Sequence, residues 1–141
     1  VKQAVIRSLL RAHLERVPDL PLVRDEGVVG TAIGTATVLE TELRAGTAIV
    51  IANGTTQTRP LWFLTLRTPP ACLLHDLDRV PDAIAETFEP GRTLTDFDAT
   101  HLLALTSLDP GALRVLPDGW GYRRITVGLT ATAFRTTLHT A

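Results

Sequence analysis

Methionine is absent from this 141-residue chain, and cysteine occurs once, at Cys72. A single cysteine excludes an intrachain disulfide and any metal cluster built on several thiolates. It suits a reducing compartment. Charge of one sign is also lacking. Fourteen basic residues face fifteen acidic ones, for a formal net charge of −1. No bias of this kind draws the chain to nucleic acid or to an anionic membrane. No apolar run approaches the roughly 20 residues of a membrane-spanning helix. Near the start, Arg11, His13, Glu15 and Arg16 interrupt what could otherwise serve as a signal-peptide core. Internal repeats and low-complexity tracts are missing too. What is present is apolar: 45% of residues are hydrophobic and mean hydropathy is +0.17. That exceeds what a disordered chain carries. The length suits one domain with its own core.

Hydrophobic spacing orders the elements. Val5, Leu9 and His13/Leu14, widened by Ile6 and Leu10, predict an amphipathic helix over Lys2–Arg16, stopped by Pro18 and Pro21. Gly27 to Leu43 is rich in Thr, Val and Ala and reads as extended chain, broken at Gly30 and Gly34. It has neither the Lys-Ser/Thr ending of a phosphate loop nor the spacing of a dinucleotide fingerprint. Ala48–Ala52 reads as a short buried strand ending at the turn pair Asn53-Gly54. Leu61–Arg67 is apolar on both faces, as a central strand is, with Trp62, Leu64 and Leu66 on one side.

The densest polar chemistry lies in LLHDLDRVPDAIAETF, residues 73–88. His75, Asp76 and Asp78, with Asp96, Asp98 and His101 further on, offer imidazole and carboxylate ligands of the type that hold zinc or manganese. Their spacing matches no standard ligand pattern. Helix entry accounts for them with ordinary physics. Val80, Ile84 and Phe88 recur every four residues, which predicts a helix over Arg79–Phe88. Asp78 would be its N-cap, Pro81 would fall in its first turn and Asp82 would face the positive end of the dipole. Likewise Thr95 or Asp96 would cap a second helix reaching about Leu105, with Phe97, His101, Leu102 and Leu105 on its buried side. The metal site is therefore rejected at this stage, and no cofactor is expected.

Nucleophilic catalysis has little to stand on. Serine occurs only at Ser8 and Ser107, neither in a Gly-x-Ser-x-Gly elbow, and Cys72 near His75 has the character of a buried thiol. After the Asp109-Pro110-Gly111 turn, a short strand over Leu113–Leu116 leads to Pro117-Asp118-Gly119. From Ile125 to Ala133, Ile, Val, Leu and Ala alternate with Thr126, Gly128, Thr130 and Thr132, which predicts a half-buried antiparallel strand with a threonine face. The expectation is a single α+β domain spanning 1–141, with an antiparallel sheet and helices packed on one side. Trp62, Leu64, Leu66, Trp120, Tyr122, Thr126, Thr130 and Thr132 are the candidate core or interface anchors.

The order of elements resembles the tail-terminator, or tail-completion, proteins of long-tailed bacteriophages. An amphipathic helix comes first, then an apolar strand closing on prolines (RPLWFLTLRTPP), a helix (DRVPDAIAETF) and a Gly-Tyr-Arg-Arg turn into a long final strand (GYRRITVGLTATAF). The GTATVLETELRAG segment is longer and richer in Gly and Thr than that pattern. The resemblance implies a non-enzymatic structural subunit. It would form a homo-oligomeric ring, usually of six copies, at the tail–neck junction of a virion assembled in the host cytoplasm. Its partners would be itself and the tail-tube and neck proteins, with no membrane and no sequence-specific nucleic acid. The competing reading from the residues is a small ligand-binding protein or enzyme. Its pocket would lie between sheet and helices, with Arg123, Arg124 and His101 as polar contacts.

Overall fold

The computed structural model describes residues 1–25, 37–52, 54–70 and 74–134, with the backbone alone for 74–77. In chain order the elements are α1 (Gln3–Leu14), β1 (Leu22–Asp25), β2 (Val38–Arg44), β3 (Ile49–Ala52), β4 (Thr55–Thr58), β5 (Leu61–Thr68), α2 (Leu74–Thr87), β6 (Thr93–Thr95), β7 (His101–Asp109), β8 (Arg114–Val115) and β9 (Gly121–Ala133). The fold is α+β. The sheet is mixed rather than wholly antiparallel, because β1 runs parallel to β2. A parallel pair needs a crossover of about a dozen residues or more, and residues 26–37 supply that length between the two strands.

Strand β9 is the spine. Its 13 residues accept partners along both edges. On one edge lie β5 and then β4, with Leu61 opposite Gly128 and Thr58 opposite Ala131. The register across both is continuous, so β4 and β5 are one long strand interrupted at Arg59-Pro60. Pro60 has no N–H to give the ladder, but its carbonyl still accepts from the Leu129 amide at 3.1 Å. On the other edge lie β7 and then β8. Here the register slips by one between Leu105 and Ser107, a bulge at Thr106. Gly128 faces that bulge. A Cβ there would stand 2.2 Å from the Ser107 Oγ, so the bulge depends on a residue without a side chain. Outside the β4–β5 strand, β2 pairs with β5 and β3 pairs with β4, so residues 38–68 form a long hairpin. Gly54 at its tip has φ 72°, as the turn pair predicts; Asn53 lies outside the described residues.

Alternation decides which side chains enter the core. Ile6, Leu10 and Leu14 of α1 and Val80, Ile84 and Phe88 of α2 share one cluster with Leu39, Leu43, Trp62, Leu64, Leu66, Ile125, Val127 and Leu129 of the sheet. Each large side chain fully withdrawn from water contributes about 1.5–3 kcal/mol relative to exposure. Val38 and Phe63 are buried as well but belong to strand positions of the opposite parity and stand outside the cluster.

Three expectations are corrected. The second helix begins at Leu74, not Arg79, so Asp78 is an interior helical residue and not the N-cap. Pro81 lies inside the helix rather than in its first turn. The missing hydrogen bond is tolerated because Val80, Ile84 and Phe88 bury on both sides of the proline. The expected helix over 96–105 does not exist. It is the turn from β6 into β7, and Asp96 caps that turn instead of a helix. His101, Leu103 and Leu105 bury alternately, at period two, against β9. Phe97, expected inside, is fully exposed. Finally, β3 is exposed at all four positions rather than buried, because the hairpin that carries it extends past the core. The Gly30/Gly34 segment and Cys72 lie outside the described residues, as do the side chains of His75 and Asp76.

Candidate functional site

The predicted anchors separate into two groups. Trp62, Leu64 and Leu66 are core residues of the chain itself, each under 5% exposed. Trp62 packs against Phe88 with ring centroids 5.2 Å apart. Trp120 and Tyr122 are half-buried at the start of β9. The Arg67 guanidinium lies over the Tyr122 ring at 5.4 Å. The threonine face is real but uneven. Thr126 and Thr130 are half-buried, whereas Thr132 is buried and its Oγ1 lies 3.5 Å from the Gln57 amide nitrogen.

On the same strand face as those threonines runs a ladder of paired charges. Glu40 accepts from both Arg24 and Arg67. Glu42 pairs with Arg124 at 3.2 Å and lies 3.7 Å from Arg44. Phe63 is held under the guanidinium groups of Arg124 and Arg44, at 3.9 and 4.9 Å from its ring centroid. The sequence offered these as isolated charges. The strand register makes them neighbours: Arg24 lies directly opposite Glu40, and the other pairs reach diagonally or across β5 on one face. Exposed ion pairs of this kind are worth at most about 1 kcal/mol each. Two glutamates face four arginines, so the face keeps an excess of positive charge.

Among the described side chains, the acidic residues of the two clusters take separate partners. Asp78 pairs with Arg123 at 3.0 Å. Asp96 accepts from the His101 amide at 2.9 Å and from the Thr100 hydroxyl. These two bonds, the Thr100 hydroxyl first and the His101 amide second, hold its carboxyl below the ordinary value of 3.8. His101 in turn accepts the Lys2 amide on Nε2 at 3.1 Å, which leaves its proton on Nδ1, 3.0 Å from the Thr100 oxygen. This relay ties the β6–β7 turn to the start of α1. Among the described residues no group of three His, Cys, Asp or Glu side chains is arranged to hold a metal ion. Arg123 and Arg124 are successive residues of β9 and so point to opposite faces, while His101 lies opposite Ala133 at the far end of that strand. The structure does not bring these three together.

Two surface features went unread in the sequence. One is the tip of the long hairpin, where Ile49, Val50 and Ile51 are 52%, 74% and 51% exposed. An uncharged stretch from Ala45 to Thr58 was the available signal. The other is an open depression of about 490 Å³ between α1 and the sheet, lined by Arg7, Ser8, Arg11, Asp25, Thr41 and Trp62 among others. Arg11 is already paired there with Asp25 at 3.4 Å.

No family model matches the chain, and no curated protein does. A protein of solved structure that bears only a sequence identifier for a name superposes with a TM-score of 0.63 at 13% identity, covering 96% of this chain and 97% of its own. At that identity the likeness shows a shared fold.

Proposed function

We propose that this chain is a structural subunit that assembles with copies of itself into a ring, capping the tail tube of a phage-like particle and joining it to the neck. The observation that carries the reading is the hairpin tip. Three large aliphatic side chains in a row stand in water there, on both faces of one strand. Contiguous exposed apolar surface of this kind marks a place where another protein sits. In this reading both helices cover the face of the sheet that bears Trp62, Leu64 and Ile125, leaving the threonine face for contact or for the ring lumen. Mass photometry and sedimentation at rising concentration, alone and with a tail-tube protein, test it. A discrete closed oligomer is the expected result. A strictly monomeric protein that binds a small metabolite tightly overturns it.

The depression beside α1 favours a second reading, a ligand-binding protein whose pocket lies between helix and sheet. Its polar lining and its apolar floor at Trp62 and Leu43 have the mixed character of a ligand site. Saturable binding of a small molecule that is lost on Arg7→Ala, with no oligomer formed, decides for it.

A further inference from the structure

Strand β3 closes the sheet on one side. Among the described residues its backbone pairs only with β4. Edge strands are ordinarily guarded against pairing by a lysine, a proline or an inward-pointing charge. β3, Ile49-Val50-Ile51-Ala52, has none of these, and the 14 residues from Ala45 to Thr58 carry no charge at all. Its composition is that of a strand paired on both edges.

A second open edge lies across the sheet, at the opposite end of β9. Strand β8 pairs only with β9, Arg114 opposite Tyr122 and Val115 opposite Gly121. Leu113, Val115 and Leu116 are exposed beside it. Arg114 of β8 itself is exposed, on the face opposite Val115, while the other nearby charges are engaged within the chain. Asp109 accepts from the Gly111 amide at 2.9 Å and Asp118 from the Trp120 amide at 3.0 Å. Arg123 bonds the Pro110 carbonyl and Asp78. Pairing runs along the backbone edge, so an uncharged strand can dock here and leave the Arg114 guanidinium in water on the other face of the sheet. Parity also agrees. Val50 lies opposite Thr56, which lies opposite Ala133, and Val115 lies opposite Gly121. Ala133 and Gly121 share one face of β9, so Val50 and Val115 share it too.

We infer that β3 of one copy adds to the β8 edge of the next, with Val50 beside Val115 on a sheet continued across the two chains. The inference rests on the self-assembling reading above and names its joint. The two edges differ, so the contact is heterologous, and each added copy presents a fresh edge until the array closes. The exposed side chains of β3 amount to on the order of 300 Å², a patch of ordinary monomer size. A standard interface buries roughly 800 Å² on each partner. A single joint is thus weak, and closure or a template is what makes it persist.

Disulfide trapping tests the joint. In a Cys72→Ser background, Val50→Cys and Val115→Cys are made separately and together, and concentrated protein is oxidised with copper–phenanthroline. The double variant should give a ladder of dimers, trimers and larger species. Each single variant should stay monomeric, and an equimolar mixture of the two should stop at dimers. Both sites are at least 70% exposed, so neither change removes core packing. If either variant loses the wild-type dichroism spectrum, Ile49→Cys with Leu116→Cys probes the same joint on the other face, since β3 runs with β9 and β8 against it. Dimers from Val50→Cys alone, or a mixture that does not cross-link, overturn the pairing. A discrete wild-type ring without cross-linking of the mixture removes this joint and leaves the ring reading standing. Cross-linked dimers from a chain that never closes remove the ring and leave the joint.

Discussion

The imidazole of His13 meets the ring of Phe88 edge to face, centroids 4.8 Å apart and planes at 90°, while its Nε2–H donates to the Thr87 carbonyl at 2.6 Å. One side chain thus joins the last turn of α1 to the end of α2, where the carbonyls have no helical partner. His13→Phe keeps the aromatic contact and leaves that carbonyl without its donor, so it should cost about 1–2 kcal/mol. His13→Ala loses the packing as well and should cost about 2–4 kcal/mol. Urea denaturation of both variants, in a cycle with Phe88→Leu, separates the two contributions.

Trp62 sits under the same junction, 4% exposed and against Phe88. Trp62→Ala should lose about 3–5 kcal/mol, the cost of emptying a large aromatic site. Equilibrium unfolding followed by far-ultraviolet dichroism measures it. A loss under about 1 kcal/mol would contradict the burial.

Periodicity made some of this architecture legible and misled elsewhere. Helix α1 and strand β9 were readable because Ile6, Leu10 and Leu14 recur at helical spacing and Ile125 to Ala133 alternate without exception. The segment after Asp96 was not, because His101, Leu102 and Leu105 satisfy spacings of three and four as well as two. The pairing of His101 to Asp109 with β9 decides between them, and a single local stretch does not contain that information. Asp78 misled because proline in a first turn and aspartate before it form a strong entry signal, yet the helix runs back to Leu74. For β3, Ile-Val-Ile-Ala has the composition of a buried strand. Only the length of the hairpin puts it in water.

The lowered carboxyl of Asp96 fixes a direction for acid stability. Its folded-state value lies below the unfolded value of 3.8, so its contribution is complete above about pH 4 and fades as pH falls through the folded value. Asp96→Asn should weaken the protein at neutral pH and flatten its loss of stability in acid, the two urea midpoints converging as pH falls below the folded-state value. Parallel curves for the two proteins across that range would remove Asp96 from the account.

Ala99 follows in the same turn with φ 54°, a backbone region that costs an L residue roughly 1–2 kcal/mol. Its side chain is exposed, so nothing is lost with the methyl group. Ala99→Gly relieves the strain and adds a smaller entropic cost in the unfolded chain. The net should be a gain of about 0.5–1 kcal/mol, read as a raised melting temperature with an unchanged urea slope.

Assembly and folding should come apart at Val50. Its side chain is 74% exposed and lies on a strand outside the core cluster, so Val50→Asp removes little packing and should move the monomer's stability by less than about 0.5 kcal/mol. In an assembled sheet the same carboxylate would be drawn from water beside Val115, on the face away from Arg114. That penalty of several kcal/mol exceeds what one weak edge contact returns. Thr130→Asp makes a graded comparison. Thr130 is half-buried on the opposite face of the sheet from Val50, opposite Ala104 of β7, and lies outside the proposed joint. If β3 carries the joint, Val50→Asp abolishes higher oligomers at every concentration and Thr130→Asp only shifts the concentration at which they form. If the threonine face carries it, the order of the two effects reverses. Mass photometry of the two variants beside the wild type, with thermal melts confirming that each monomer is folded, distinguishes these outcomes.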